Sequence, residues 1–350
     1  MDDKETYLLL VLSDSNLPTG SFVASAGLES TATHALFHAT PPTTGSAATG
    51  TGTSTGTGTV SPTSSILTFL RNSINTYARS ALPFARDAHR ITTAYTNANA
   101  NVNGDIAQQP DLDGALDALA RIDALYDACT LNHVARRASC AQGVALLTLY
   151  ARGFTCPPFL AAGTAAAAAT TTPGELELER EGRAGALVAA LKVRVRRGGE
   201  SDDGALGHLP VCWGVLAGAL GLSVGEQLSL SLFAPPSAWL TTSVIHTRIP
   251  PPDRGAHLHL FLHARGVLSA AVRMNILGPY AAQQLLLHGV KPLLDEALSS
   301  TAHLVSGALR EREEEIHPEL GAEQLPATTW PLGEILSARH DLLHSRIFNS

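Results

Sequence analysis

Leu116, Leu119, Ile122, Leu125, Cys129, His133, Arg136, Cys140, Val144 and Leu147 follow one another in steps of three and four. That spacing describes one face of an α-helix, and it predicts a helix over 114–150. The same period recurs over 5–12, 21–38, 66–94 (interrupted at Pro83), 209–222, 226–245, 258–286 (bent at Gly278-Pro279), 290–309 and 332–348. Period-two alternation is almost confined to His257-Leu258-His259-Leu260. The pattern predicts an all-α chain of about ten helices.

A length of 350 residues would ordinarily suggest two domains. Residues 40–65, 96–111, 161–182 and 196–207 are poor in large apolar side chains, so a single helical domain, 1–350, with long insertions is the better reading. The tract 40–65 is nearly all Thr, Gly, Ser, Ala and Pro, and cannot bury enough apolar area to offset its ordering entropy. It is expected to be a disordered loop, 161–182 a second low-complexity loop, and the segment 250–263, with three prolines at 250–252, a further insertion. Aromatic residues are only 5% of the chain, which leaves the core to Leu, Ala and Val.

Several functions are disfavoured. A net charge of −7 argues against nonspecific nucleic-acid binding, which needs a basic face. No uninterrupted apolar run reaches the ~18–20 residues of a membrane span, and the start Met-Asp-Asp-Lys-Glu lacks a secretory pattern. Four scattered cysteines do not make a disulfide framework. These features favour a reduced, cytoplasmic location. Gly52-Thr53-Ser54-Thr55-Gly56 fits a hydrolase nucleophile pattern in letters only, since no strand precedes it and no helix follows. Gly45 and Gly50 have phosphate-loop spacing, but Thr51 stands where the lysine belongs, and no Gly-Lys pair occurs in the chain.

Fourteen histidines raise the question of a metal. Cys129, His133 and Cys140 share a face of the predicted helix and are soft ligands for Zn²⁺ or Ni²⁺. Equally, two small core cysteines and a hydrogen-bonded histidine would give the same stripe. His257, His259 and His263 form a second cluster, although neither a helix nor a strand aligns all three. All six are weak candidates. Arg136 lies on the apolar stripe and requires either a carboxylate partner or an interface, whereas Arg137 projects ~100° away, toward solvent. The amphipathic stripe of 332–348 continues nearly to the last residue, so Phe348 either docks on its own core or anchors in a partner.

Four ordered segments then point to one family. Leu17-Pro18-Thr19-Gly20-Ser21-Phe22 with Ser25-Ala26-Gly27-Leu28-Glu29 resembles the N-terminal signature of the urease accessory protein family UreF. Arg136-Arg137-Ala138-Ser139 with Gln142-Gly143 is similar to its Arg-x-Ala-Ser segment, and Ala271-Val272-Arg273 with Leu277-Gly278 and Gln283 to its Ala-Val-Arg…Gly…Gln helix. His340 followed by Arg346-Ile347-Phe348-Asn349-Ser350 resembles its C-terminal His…Arg-Leu-Phe-x-Ser. Ser21 replaces the second glycine of the usual pair, and Asn132-His133-Val134-Ala135 stands where many members carry Glu. The insertions are similar to those of eukaryotic, fungal forms.

The resemblance implies an all-α, typically homodimeric protein that is not an enzyme. It would bridge a UreD/UreH-type scaffold protein and a UreG-type GTPase that deliver nickel to apo-urease. It would bind no cofactor itself, leaving nickel and GTP to the complex. The resemblance implies a partner-binding tail over 332–350, with Arg339, His340, Arg346, Ile347, Phe348 and Ser350 as anchors. Pro18, Gly20, Phe22, Gly27, Glu29, Arg136, Ser139, Gly143, Arg273, Gly278 and Gln283 would shape the fold or face partners. A charged group on each apolar helix suggests an ion pair between Glu29 and Arg136. Arg273 could hold a buried pair or face the GTPase. A stand-alone metal-binding protein and a generic helical adaptor are the alternatives.

Overall fold

The computed structural model describes residues 3–14, 17–34, 61–98, 111–154, 175–198, 204–223, 253–309 and 324–350. Among them there is no strand, and the fold is all-α. No helix among them is long and apolar enough to cross a membrane. The helices are α1 (Asp3–Leu12), α2 (Leu28–Thr33), α3 (Pro62–Asn97), α4 (Leu112–Cys129), α5 (His133–Leu149), α6 (Glu175–Arg197), α7 (Leu209–Leu220), α8 (Arg254–Arg273), α9 (Pro279–Gln284), α10 (Lys291–Thr301) and α11 (Pro331–Ala338). Wide π-helical turns follow α5 (Tyr150–Phe154) and α9 (Leu285–Val290), and 3₁₀ turns cover Ser21–Val23 and Arg339–Leu342.

The core is built on α3 and α7. Helix α3 opens on Ser61, whose hydroxyl accepts the Ser64 N–H, with Pro62 in the first turn, where a missing donor costs nothing. From Ala81 to His89 every residue of α3 is buried, as expected of a helix surrounded on all sides. Residues 210–219 of α7 are buried in the same way. The two helices cross so closely at Gly214 that an added Cβ would overlap the Ala85 carbonyl oxygen. Helices α4, α5, α6, α8 and α10 surround this pair. Polar ties lock the layers. Arg86 donates to Asp253 (3.1 Å) and to the Thr301 carbonyl (2.6 Å), and Trp213 donates to the Gly255 carbonyl (3.1 Å).

Several sequence-based boundaries change. Pro83 does not interrupt α3, because it sits in the fully buried stretch where packing offsets a penalty of about 3 kcal/mol. The helix expected over 114–150 is two helices. It breaks at Thr130–Asn132, and the Asn132 side chain caps α5 by accepting the Val134 and Ala135 N–H groups. The stretch 21–38 becomes a 3₁₀ turn and the short α2, because Gly20, Ala26 and Gly27 all have positive φ. Helix α6 starts at Glu175, inside the tract 161–182, and α8 starts at Arg254, inside 250–263. The segment 258–286 is divided between α8 and α9 by the turn at Met274–Gly278, and that of 290–309 ends at Thr301. The tail is helical only to Ala338, turns once more to Leu342, and then folds back without helix. The expected helix 226–245, and the loop 40–65 up to residue 60, lie outside the described residues. Residues 62–65 open α3.

Candidate functional site

The first and last motifs of the chain form one site. Pro18 is exposed, and Gly20 (φ 71°) turns the chain into Ser21–Val23. Gly27 (φ 81°) then starts α2, its Cα facing Ser337 of α11 so closely that a Cβ would lie 3.0 Å from the Ser337 Cβ. Helix α2 buries Leu28 to Thr31 and thereby carries the Glu29 carboxylate inside the protein, 4% exposed. Such a carboxylate is costly unless both of its oxygens are hydrogen-bonded. Here Oε1 accepts the Ile347 N–H (2.6 Å), while Oε2 accepts the Phe348 N–H (3.1 Å) and the Nε2–H of fully buried His340 (3.1 Å).

The tail is fastened on both sides of this carboxylate. The Asn349 N–H donates to the Val23 carbonyl (2.8 Å), and the Ser25 N–H and hydroxyl both donate to the Ser350 carbonyl (2.5 and 3.0 Å). Arg273, at the end of α8, donates to the Phe22 carbonyl and lies over the Phe348 ring, 4.5 Å from its centroid. Among the described residues Arg273 therefore holds no buried carboxylate; it joins the N-terminal turn to the tail. Phe348 is buried on its own chain, whereas Phe22, Ile347, Arg339 and Arg346 remain exposed.

Asp341 fastens the outer side. It accepts two hydrogen bonds from Arg137 (3.0 and 2.9 Å), one from Arg346 (3.0 Å) and one from His133 (3.2 Å). The Arg137 hydrogen bonds, its charge and His133 hold the Asp341 carboxyl well below the usual carboxylate range. Arg137 is exposed as expected, yet with His133 it ties α5 to the tail. Exposed Leu131, Leu332, Ile335 and Leu342 border the same region, where the Asn132 side chain donates to the Glu334 carbonyl (3.4 Å).

The Arg-x-Ala-Ser segment serves a second centre. The expected Glu29–Arg136 pair does not form. Arg136 is only half-buried, because the helix break at Thr130–Asn132 rotates it off the stripe, and its guanidinium pairs with Asp127. Asp127 also accepts the Nε2–H of buried His208 (3.1 Å). That leaves Nδ1 to accept from the Ser139 hydroxyl (3.2 Å), whose oxygen in turn takes the Leu209 N–H (3.0 Å). Asp123, 1% exposed, accepts the N–H groups of Leu206, Gly207 and His208 (2.5, 2.9 and 2.8 Å). At Gly143 an added Cβ would collide with the Gly207 carbonyl. Together these residues dock the segment 204–208 that leads into α7. Gly278 and Gln283 are exposed along α9.

The metal candidates do not converge. Cys129 is exposed at the end of α4, and His133, at the start of α5, faces Asp341 of the tail. Cys140 lies 3.5 Å from the His208 ring, and burial, then Asp123 and Asp127, push its thiol up to about 11. His257 is half-exposed beside Asp295. Buried His259 bonds to the Tyr77 hydroxyl (2.9 Å) and stacks on Trp213. His263 stacks on Tyr77 at 4.3 Å and bonds to Ser73 (2.9 Å). Among the described residues no three His, Cys, Asp or Glu side chains gather in a metal-holding group.

Asp123, Asp127, His208 and Asp341 were not legible as site residues, because nothing in their local spacing marks the distant segments they hold. The i, i+4 spacing of Asp123 and Asp127 was the one available signal.

Comparison with known proteins agrees with the motifs. The model of the UreF family matches residues 60–245 and 244–289. Urease accessory protein 6 of Cryptococcus neoformans var. grubii is 35% identical over 361 residues, covering 99% of this chain and 98% of its own length. An uncharacterized urease accessory protein, UreF-like, of Schizosaccharomyces pombe is 24% identical over 346 residues, covering 99% and 97%.

Proposed function

The chain belongs to the UreF family of urease accessory proteins, and from that premise we propose that it bridges a UreD/UreH-type scaffold protein and a UreG-type GTPase during GTP-dependent nickel insertion into apo-urease. A family of this kind assists urease maturation and is not itself enzymatic. In this reading the protein works in the cytoplasm as a homodimer, and nickel and GTP are handled by the complex rather than held by this chain.

The observation that supports the reading most directly is the closed tail. Glu29, His340, Arg273 and Asp341 fasten 340–350 to the body of the fold. Its outer side still offers Arg339, Arg346, Ile347 and Leu342 to a partner, beside Leu332 and Ile335 of α11. A preformed surface loses less conformational entropy on binding than a free tail does. Arg339, Arg346 and Ile347 make the outward contacts of the scaffold-binding surface. Phe348, Ser350 and His340 set its shape from beneath.

Co-expression with the host's UreD-type and UreG-type proteins, with and without residues 332–350, tests the proposal by light scattering of the purified species. A three-component complex that is lost on truncation supports bridging through the tail. Failure of both forms to assemble overturns it. Metal content after dialysis, with Cys140→Ala as control, then tests the stand-alone metal reading.

A further inference from the structure

The outer face of α6 has no neighbour within the described fold. Leu178, Gly182, Ala186, Ala189 and Val193 follow one another at steps of four, four, three and four, and all five are exposed. Glycine weakens a helix interior relative to alanine. Yet a Cβ at Gly182 or Gly185 would meet nothing within 4 Å. Among the described residues nothing accounts for the narrow side chains on this face.

The C-terminal end of the same face is cationic. Lys192, Arg196 and Arg197 occupy its last turns, and Arg152 comes from the π-turn Tyr150–Phe154, which packs beside α6. Among the described residues none of the four has a carboxylate within 4.0 Å. Several other cations are matched: Lys4 with Glu177, Arg194 with Asp117, Arg254 with Glu5 and Lys291 with Asp295. Burial, with the like charges of Arg196 and Arg152, lowers the affinity of Lys192 for its proton. The unmatched group stands out on a chain of net charge −7.

We infer that the outer face of α6 is a docking surface for an acidic amphipathic helix of a partner protein, its apolar side lying on Leu178–Val193 and its carboxylates on Lys192, Arg196, Arg197 and Arg152. Nucleic acid fits less well, since the face combines an apolar strip with no exposed aromatic side chain for base stacking. A second copy of this chain fits less well too. At the other end of α6, Glu177 and Glu181 are held by Lys4 (2.6 and 3.3 Å) and Glu179 faces Arg183 (3.7 Å), so few free carboxylates are offered in return. The inference does not depend on the urease reading.

The test is fluorescence anisotropy of the full chain with a labelled helical peptide carrying glutamates along one side and leucines along the other. Binding should weaken with added salt, and by about tenfold or more in Lys192→Glu/Arg196→Glu. Ala189→Trp should also weaken it by obstructing the strip, an effect that mere attraction between charges would not show. Circular dichroism and melting should leave both variants folded, as all three positions lie at the surface. Four results would overturn the inference. The first is peptide binding unchanged by the reversal or by Ala189→Trp. The second is tighter binding of a single-stranded oligonucleotide that is lost in the same variant. The third is a homodimer that the reversal dissociates. The fourth concerns Glu200, Asp202 and Asp203, which follow α6 outside the described residues. Peptide binding seen only in Glu200→Gln/Asp202→Asn/Asp203→Asn would show the chain's own acids filling the patch.

Discussion

The Glu29 carboxylate and the His340 imidazole meet at 3.1 Å across 311 residues of chain, both withdrawn from solvent. This contact joins the first motif of the sequence to the last, and the same carboxylate caps the backbone of residues 347 and 348. Removing it leaves two amides and one imidazole without their acceptor. Glu29→Ala is therefore expected to destabilise the closed tail by about 3 kcal/mol, the cost of stranding buried polar groups. Amide hydrogen exchange at 347 and 348 should accelerate strongly while that of α3 is unchanged. Equal protection in the variant would show that Glu29 does not hold the tail.

Charge reversal discriminates the pairs. Arg136→Glu should not be rescued by Glu29→Arg, because the two side chains serve different centres. Arg136→Asp with Asp127→Arg should recover part of the loss in urea midpoint. The coupling should be only ~0.5–1 kcal/mol, since the Arg136 side chain is 42% exposed and solvent screens the pair.

Stability should fall in mild acid. Burial lowers His259 to about 3 and His263 to about 4, from an ordinary 6.5. The unfolded chain takes up these protons below that ordinary value, while the folded protein resists them. Their contribution is thus intact above pH 6.5 and is lost progressively as the pH falls toward about 4. The upper bound on the slope is about 1.4 kcal/mol per pH unit for each group. Urea midpoints measured across that window should drop steeply in the native protein and less so in His259→Phe. Parallel slopes would remove the histidines as the cause.

Gly143→Ala should lower the melting temperature more than an ordinary helix substitution, despite alanine's better helix propensity. The added methyl collides with the Gly207 carbonyl, which Asp123 holds in place through the N–H groups on either side. Overpacking of this kind costs ~1–3 kcal/mol. Gly182→Ala, on the open face of α6, should instead be neutral or stabilising. Calorimetry of the two variants side by side checks the contrast.

Helix class was legible in the sequence because a 3.6-residue period is a local property, carried by neighbours such as Leu116, Leu119 and Ile122. The motifs that assign the family were likewise legible as short strings. Helix ends were less so. The stripe through Cys129 and His133 reads as continuous, and only the cap formed by Asn132 shows where α5 begins. Partners were beyond reach. Arg136 could be seen to need a carboxylate or an interface, but Glu29 and Asp127 were equally available to it in one dimension. The sequence by itself determined an all-α fold, its family and its motifs. Tertiary structure decided which charges meet: Glu29 with His340, Arg136 with Asp127, Arg137 with Asp341. The physical reason is that periodicity acts over a few residues, whereas a buried charge takes whichever partner the packing of distant helices brings within hydrogen-bond reach.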